Sequence, residues 1–276
     1  MIRRLVTTAA SVGESVIEAF PAAPAEVSQG AVLGDTAHRP WPVPKGPWLM
    51  AQTWRDLMFA HWRVPASVLK RRLPSALTVD TFDGSGWIGV TPFELTGLRL
   101  RGTLPAPLVS RFPELNVRTY ATLDDKPGIF FLSLDAANAL AVFAARRAYR
   151  LPYFRAEMGI TRRWRLVHYA SRRTSSDGPH VSFAADYWSA GPKFQAEPGS
   201  LDYFLTERYC LYTVDERGRP LRADIHHPPW PLQPADASIS RNTMTAPWGI
   251  ELPNEEPVLH YSQLQQVVIW PLGPAG

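Results

Sequence analysis

Residues 112–158 read FPELNVRTYATLDDKPGIFFLSLDAANALAVFAARRAYRLPYFRAEM and carry the clearest structural signals of the chain. Apolar and polar residues alternate over residues 115–123, which predicts a strand with one core face and one polar face. The turn residues DDKPG follow, and residues 129–134 are apolar on both faces, as in a central strand. This predicted β-hairpin is the expected centre of the fold.

A helix is predicted directly after the hairpin. Asp135 is a suitable N-cap for the segment AANALAVFAARRAY, which ends at a Leu-Pro pair. Leu140, Phe143 and Arg147 recur at helical spacing, so we expect them on one inward face. A buried arginine needs a carboxylate partner. The candidate partners of Arg147 are Asp135, Glu114 and Glu207.

The rest of the chain adds many short strands and few helices, with Gly and Pro at the turns. The predicted fold class is therefore mainly β (α+β), with a few helices packed on a sheet. Residues 94–109 are expected to form a connecting loop. The other predicted elements are a strand over 54–64, a helix after Pro65, a hairpin of 77–82 with 87–93, a hairpin of 158–171 with 180–188, a helix after Ser200, strands over 209–214 and 221–227, and a last strand near the C-terminus.

Length and composition indicate a globular chain. It has 276 residues, 45% of them hydrophobic and 20% charged, and a net charge of +4. Residues 47–276 are expected to form a single domain. Arginines far outnumber the four lysines, but the basic runs are interrupted by core-type residues, which disfavours nucleic-acid binding. Oligomerisation is left open.

The first 46 residues differ from the rest. They are rich in Ala, Pro and small polar residues, so we expect a disordered or weakly helical extension. A leader peptide or a start at Met50 are alternatives. No apolar run reaches the roughly 18 residues of a membrane span. A single cysteine, Cys210, excludes an internal disulfide and favours a cytoplasmic protein.

Common catalytic motifs are absent from the sequence. There is no phosphate loop, no GxGxxG that joins a strand to a helix, no GxSxG and no HExxH. Asp224 and His226 share one strand face, but a third ligand is not in view, so we expect no metal. No cofactor is expected either.

Charged and aromatic residues meet on the predicted hairpin, the helix and the second helix-to-strand junction. Arginine binds carboxylates through paired hydrogen bonds, and glutamate transfers protons, so the set suits a small carboxylate or carbonyl compound. The alternative is that these residues form structural ion pairs inside the fold, and the sequence favours neither interpretation. His61, beside Phe59 in the first strand, is a further binding candidate, although a lone histidine there is more often structural. The candidates are Glu114, Asn116, Arg118, Tyr120, Arg147, Glu207 and Arg208.

Several of these segments resemble a known family. FPELNVRTY, KPGIFFLSLDA, AARRAYRLPY and PGSLDYFLTERYCLY, preceded by WRDLMFAHWRVP and followed by HHPPWPL, resemble the uncharacterised bacterial YqjF-like family over residues 54–232. That family is grouped with acetoacetate decarboxylase. The resemblance implies a closed or nearly closed antiparallel β-barrel with a central cavity, and it leaves the activity open.

The resemblance also directs attention to lysine. In the decarboxylase, a lysine after a Gly-Phe-Pro turn forms a Schiff base with the keto acid. At the corresponding place this chain has Tyr153 and Phe154, neither of which forms an imine. Lys193 is the remaining lysine in a segment compatible with a pocket. Glu114 is similar in position to an acidic pocket residue of the decarboxylase.

Three hypotheses follow. The first is a barrel that binds a small organic anion or carbonyl compound through Arg118 and Glu114, without an imine. The second is a lyase or hydratase that uses Glu114 or Glu207 as acid or base and Tyr153 as proton donor or electrophile. The third is a non-catalytic structural protein whose polar residues only brace the barrel.

Overall fold

The structure is a computed structural model that describes residues 28–105 and 109–275. In this part of the chain, thirteen strands form one hydrogen-bonded sheet, and three α-helices pack on it. The helices are α1 (Ala66–Lys70), α2 (Ala139–Tyr149) and α3 (Leu201–Thr206). The strands are β1 (Met50–Val64), β2 (Thr78–Val79), β3 (Gly86–Leu100), β4 (Phe112–Leu123), β5 (Lys126–Ala136), β6 (Tyr153–Arg163), β7 (Leu166–Arg173), β8 (Ser182–Ser189), β9 (Cys210–Val214), β10 (Pro220–His226), β11 (Gln233–Asn242), β12 (Val258–Ile269) and β13 (Gly273–Pro274).

The sheet closes on itself in two rings that share strands β12, β1, β3, β4 and β5. The first ring is completed by β9 and β10. The second ring is completed by β6, β7, β8 and β11. The predicted mainly β, closed architecture is confirmed. Pairing in both rings is antiparallel, except that β5 runs parallel to β6 and to β9.

Alternation along the shared strands separates two hydrophobic cores. On β1, Leu57 and Phe59 belong to the first core, while Met58 and Ala60 belong to the second. On β4, Leu115 and Val117 lie in the second core. The side chains that alternate with them, those of Glu114, Asn116 and Arg118, therefore face the first core. A shift of one residue would have reversed this orientation.

The central hairpin is confirmed as β4 and β5, but three other predicted segments differ from the structure. Residues 94–100 continue β3 instead of forming a loop, because Gly97 accommodates a positive φ of 61° while the strand goes on. β2 pairs with β4, not with β3. The predicted strand over 158–171 is two strands, β6 and β7, joined by a turn at the fully exposed Trp164.

Helix α2 lies the other way round from the prediction. Its buried side chains are Val142 and Tyr149, and the Tyr149 hydroxyl donates to the carbonyl of Trp270 (3.2 Å). Leu140 and Phe143 are 68% and 66% exposed. The face that carries Leu140, Phe143 and Arg147, which we expected to point inward, is therefore the outer face. Tyr149, at the end of the helix, anchors the opposite face.

The start of α2 also differs. Asn138 is the N-cap, and its side chain accepts hydrogen bonds from the backbone N–H groups of Leu140 and Ala141 (3.0 Å each). Asp135, the predicted cap, instead binds Arg173 of β7 through two hydrogen bonds of 2.9 and 2.6 Å. Both side chains are buried, so this ion pair joins the two strands inside the fold.

Residues 28–46 pack against the sheet, which differs from the extension predicted for 1–46. Gln29–Gly34 is a 3-10 helix, and the buried Gln29 amide donates to the Thr53 hydroxyl (3.1 Å) and the Gly97 carbonyl (2.9 Å). Arg39 is buried and donates to the carbonyl of Ile225. Residues 1–27, where a leader would lie, are outside the described residues.

Candidate functional site

Arg118 is a buried cation in the middle of β4. It is 4% exposed, and its guanidinium carbon lies 5.0 Å from the ring centre of Phe59. Its Nη2 donates to the Leu205 carbonyl (3.0 Å) and the Tyr120 hydroxyl (3.4 Å), while its Nε is buried without a partner. Among the described residues, no carboxylate lies within ion-pairing distance. A buried charge without a counter-ion is costly and attracts an anion.

His61 stands beside Arg118 and adds a neutral acceptor. The Tyr120 hydroxyl lies 2.7 Å from His61 Nε2 and donates to the Leu205 carbonyl (2.7 Å). The hydroxyl oxygen must then accept from His61 Nε2–H, which leaves Nδ1 as an acceptor. This Nδ1 is buried without a partner in the described chain. Burial, followed by the charge of Arg118, holds the pKa of His61 well below 6.5, so the ring is uncharged at neutral pH.

Glu114 and Tyr153 form the second polar pair of the first core. The Tyr153 hydroxyl donates to Glu114 Oε1 (3.1 Å), and Glu114 Oε2 is buried without a partner. Burial raises the pKa of Glu114 to about 8, against a smaller opposing effect of the Tyr153 hydrogen bond. Glu114 is therefore largely protonated at pH 7, with its proton on Oε2. It can donate a hydrogen bond, or a proton, to a bound molecule.

Further unpartnered polar atoms face the same core. Asn116 lies between Glu114 and Arg118 on β4, opposite Thr91 of β3, and Asn116 Oδ1 and Thr91 Oγ1 are both buried without partners in the described chain. Trp230, in the first core, has an unpartnered indole Nε1. Buried polar atoms are normally hydrogen-bonded, and exceptions mark sites for water, ions or ligands. The polar core is defined as His61, Thr91, Glu114, Asn116, Arg118, Tyr153 and Trp230.

Glu207 is placed near this group but is held by the fold. It is 5% exposed, and both of its carboxylate oxygens accept hydrogen bonds. Oε2 accepts from the Tyr209 hydroxyl, and Oε1 accepts from the backbone N–H of Trp230 (2.8 Å). The Glu207 carboxylate therefore fixes the position of Trp230, and each of its oxygens already has a partner within the fold.

The two remaining arginine candidates have different surroundings. Arg208 is buried, pairs with Asp80 and stacks on the Tyr120 ring at 4.7 Å. Arg208 therefore packs against Tyr120, whose hydroxyl in turn contacts His61 and Arg118 of the polar core. Arg147 is exposed on the outer face of α2, far from the predicted inward position. The structure does not bring Arg147 to the candidate site.

Two residues that sequence reasoning did not select shape the polar core. Gly89 of β3 lies against His61, because a Cβ there would come within 2.8 Å of His61 Cδ2 and 3.4 Å of Arg118 Cγ. Trp230 packs edge-on against Phe59 at 4.9 Å and near Trp54 at 5.8 Å. Trp230 lies in the proline-rich run HHPPWPL, and periodicity could not show which core it enters.

None of the four lysines is buried. Lys45, Lys70 and Lys193 are exposed, and Lys126 is half-buried in the β4–β5 turn. Lys193, which the sequence left as the pocket candidate, therefore lies on the surface. Tyr153, at the place that the resemblance assigns to a lysine, points at Glu114.

The described residues hold no group of three His, Cys, Asp or Glu side chains that is arranged for a metal ion. They also include no helix long and apolar enough to cross a membrane. Two cavities of the described structure lie at the edges of β5 and β6, and none of the residues that line them belongs to the polar core.

Solved structures place this architecture in the acetoacetate-decarboxylase-like fold. The enduracididine biosynthesis enzyme MppR complexed with pyruvate matches 86% of this chain and 93% of its own, with a TM-score of 0.56 and 12% identity. Acetoacetate decarboxylase from Legionella pneumophila matches 87% of this chain and 93% of its own, with a TM-score of 0.57 and 8% identity. At identities this low, the structural similarity establishes a shared fold alone.

Sequence comparison defines the family within that fold. Residues 51–266 match DUF2071, an uncharacterized conserved protein. The uncharacterized protein YqjF of Bacillus subtilis (strain 168) is 48% identical over 230 residues, which cover 83% of this chain and 94% of YqjF. The chain belongs to this YqjF-like family, and the resemblance seen in the sequence is confirmed.

Proposed function

We propose that the chain binds a small organic anion, such as a 2-oxo acid, in its polar core. The observation that carries the proposal is Arg118, a buried guanidinium with an unpartnered Nε and no carboxylate partner among the described residues. An anionic ligand would supply the missing negative charge. Its attraction to the guanidinium is stronger in the core than in water because few water molecules screen it.

The surrounding groups complement an oxygen-rich ligand. The protonated Glu114 offers a donor at Oε2, and His61 Nδ1 offers an acceptor. Neither adds negative charge at neutral pH, so the polar core keeps the positive charge of Arg118. A 2-oxo acid presents a carboxylate to the arginine and a carbonyl oxygen to a donor, which fits this distribution. MppR, of the same fold, has been obtained with pyruvate bound.

Binding in this proposal involves no imine. A Schiff base requires an amine within reach of the carbonyl carbon, and no lysine of this chain is buried. Tyr153 takes the place in question and holds Glu114 by a hydrogen bond. Sodium borohydride added with pyruvate should therefore leave every lysine unmodified, as read by mass spectrometry of peptides. A pyruvate adduct on any lysine would contradict this part of the proposal.

Calorimetric titration of the whole chain with pyruvate tests the binding itself. Arg118→Gln should weaken binding at least about tenfold, since a charged hydrogen-bonding partner is lost. Arg241→Gln, at an exposed position of β11, should bind like the wild type. Pyruvamide, the uncharged analogue, should bind weakly to all three. Equal binding of pyruvate to a folded Arg118→Gln variant, or no binding to the wild type, would refute the proposal.

A second candidate function is acid/base catalysis by Glu114, as in a lyase or hydratase. The raised pKa of about 8 favours it, because a carboxyl group that is protonated at neutral pH can act as a general acid. Turnover of a panel of 2-oxo and 3-oxo acids by the wild type, lost in Glu114→Gln and reduced in Tyr153→Phe, would establish it. Turnover that persists in Glu114→Gln would exclude this role.

A further inference from the structure

A cavity lies at a fork in the sheet, along the edge of β5 opposite to β4. β5 pairs with β9 at Ile129 and Phe130, and with β6 from Leu134 to Ala136, so its two neighbours separate in between. The cavity occupies this fork and has a volume of about 460 Å³. Its walls come from β5, β9, the end of α2 with residues 150–152 that follow it, the segment after α1 and the 3-10 helix Ala246–Trp248.

The floor of this fork cavity is apolar. Phe131, Leu132 and Leu151 line it and are themselves buried, so they form a fixed surface. Trp248 stands at the side, and its indole Nε1 is buried without a hydrogen-bond partner in the described chain. A flat apolar group could lie on the floor beside the indole ring.

The rim of the fork cavity is positively charged. Arg72, Arg146 and Arg150 line it, and none of the lining residues is acidic. Arg72 has no carboxylate within ion-pairing distance among the described residues. The partner of Arg150 is Glu216, which is 89% exposed and 3.2 Å away, so a ligand could replace it at little cost.

Arg146 is held in place on the rim by several contacts. It pairs with Asp177 (2.7 Å), and its Nε donates to the carbonyl of Tyr153. The guanidinium also lies 5.4 Å from the ring centre of Phe154. These contacts hold Arg146 in place, so Arg72 and Arg150 are the arginines free to turn toward a ligand.

From these features we propose that the fork cavity binds an organic anion with a flat apolar body, such as an aromatic carboxylate. The carboxylate would lie between Arg72 and Arg150, and the ring would lie on the apolar floor beside Trp248. The volume is within the usual range for small-molecule sites, roughly 300 to 1,000 Å³. None of the lining residues belongs to the polar core, so this site is independent of the function proposed above.

Calorimetric titration of the protein with 2-naphthoate tests whether the fork cavity binds an aromatic carboxylate. Arg72→Gln and Arg150→Gln should each weaken binding about three- to fivefold, as for partly exposed ion pairs, and together at least about tenfold. Arg165→Gln, at an exposed position of the β6–β7 turn that does not line the cavity, should leave binding unchanged. 2-Naphthamide, which has the same rings without the charge, should bind more weakly than the acid.

Arg118→Gln separates the two sites. It should leave the affinity for 2-naphthoate unchanged, whereas it should weaken pyruvate binding in the polar core. Circular dichroism confirms that each variant is folded. Wild-type affinity in the folded Arg72→Gln/Arg150→Gln double variant would overturn the inference. Equal binding of the amide and the acid, or no binding of 2-naphthoate to the wild type, would also overturn it.

Discussion

Replacing Glu114 with glutamine should change how the stability of the protein depends on pH. Glutamine has nearly the same shape and can accept the same hydrogen bond from Tyr153 at its Oε1. It lacks only the titrating proton. The difference between the variant and the wild type therefore reports how proton binding by the buried Glu114 carboxyl group changes the free energy of unfolding.

The direction follows from the raised pKa of Glu114. Between its ordinary value of 4.5 and its folded value of about 8, the folded chain binds a proton that the unfolded chain has released. Stability that depends on this group therefore falls as the pH rises through that window, and it is constant below and above it. The lowered pKa of His61 acts oppositely, since its loss of stability occurs when the pH falls below 6.5.

The size of the effect follows from the same two values. A pKa difference between 4.5 and about 8 corresponds to roughly 4 to 5 kcal/mol, at about 1.4 kcal/mol for each tenfold change in proton affinity. This figure is an upper limit, because water that enters the core would stabilise the carboxylate. We expect the variant to gain at least about 2 kcal/mol relative to the wild type between pH 5 and pH 9.

Urea denaturation at four pH values from 5 to 9 measures this difference. Subtracting the wild-type curve from the variant curve cancels the contributions of the histidines, which both proteins share. Glu157→Gln, at an exposed glutamate of β6, is the matched control and should give a flat difference. A flat difference for Glu114→Gln as well would show that Glu114 is charged in the folded protein and would refute the reasoning.

Three further predictions concern the frame around the polar core. Asp135→Asn should destabilise the protein by about 3 to 5 kcal/mol in urea, because Arg173 would remain buried without its charge partner; a cost below about 1 kcal/mol would contradict this. Gly89→Ala should cost about 1 to 3 kcal/mol and weaken pyruvate binding, since a Cβ would collide with His61; an unchanged melting temperature would argue against the close contact. A chain that begins at Met50 should lose at least about 3 kcal/mol of stability, because the hydrogen bonds of Gln29 and the packing of the first segment disappear; unaltered thermal unfolding would show that residues 28–49 are dispensable.

The sequence predicted the central hairpin and its faces because both strands have strong local patterns. Alternation from Leu115 onward predicted that Asn116 and Arg118 share one face of β4, but it left open which way that face points. In the structure Leu115 and Val117 lie in the second core, so Arg118 faces the first. What joins Glu114 and Arg118 to His61 and Tyr153 is long-range pairing between strands far apart in the chain. Local periodicity carries no information about such pairing.

Helix α2 shows where sequence reasoning failed and why. Its apolar residues occur on both sides, since Leu140 and Phe143 compete with Val142 and Tyr149 for the inward position. A helical spacing pattern cannot decide between two such faces. The anchor is a hydrogen bond from Tyr149 to the backbone of Trp270, just after β12 and more than a hundred residues away, which no local pattern reveals.

The five strands shared by the two rings bear on how the molecule opens. β9 and β10 can separate from the sheet without disturbing β7 and β8, and the reverse also holds, because each group closes a different ring. Strands β1, β3 and β4 have partners on both edges and bury both faces, so they can be exposed only when the whole domain unfolds. Their backbone amides should therefore exchange with deuterium more slowly than those of either closing group.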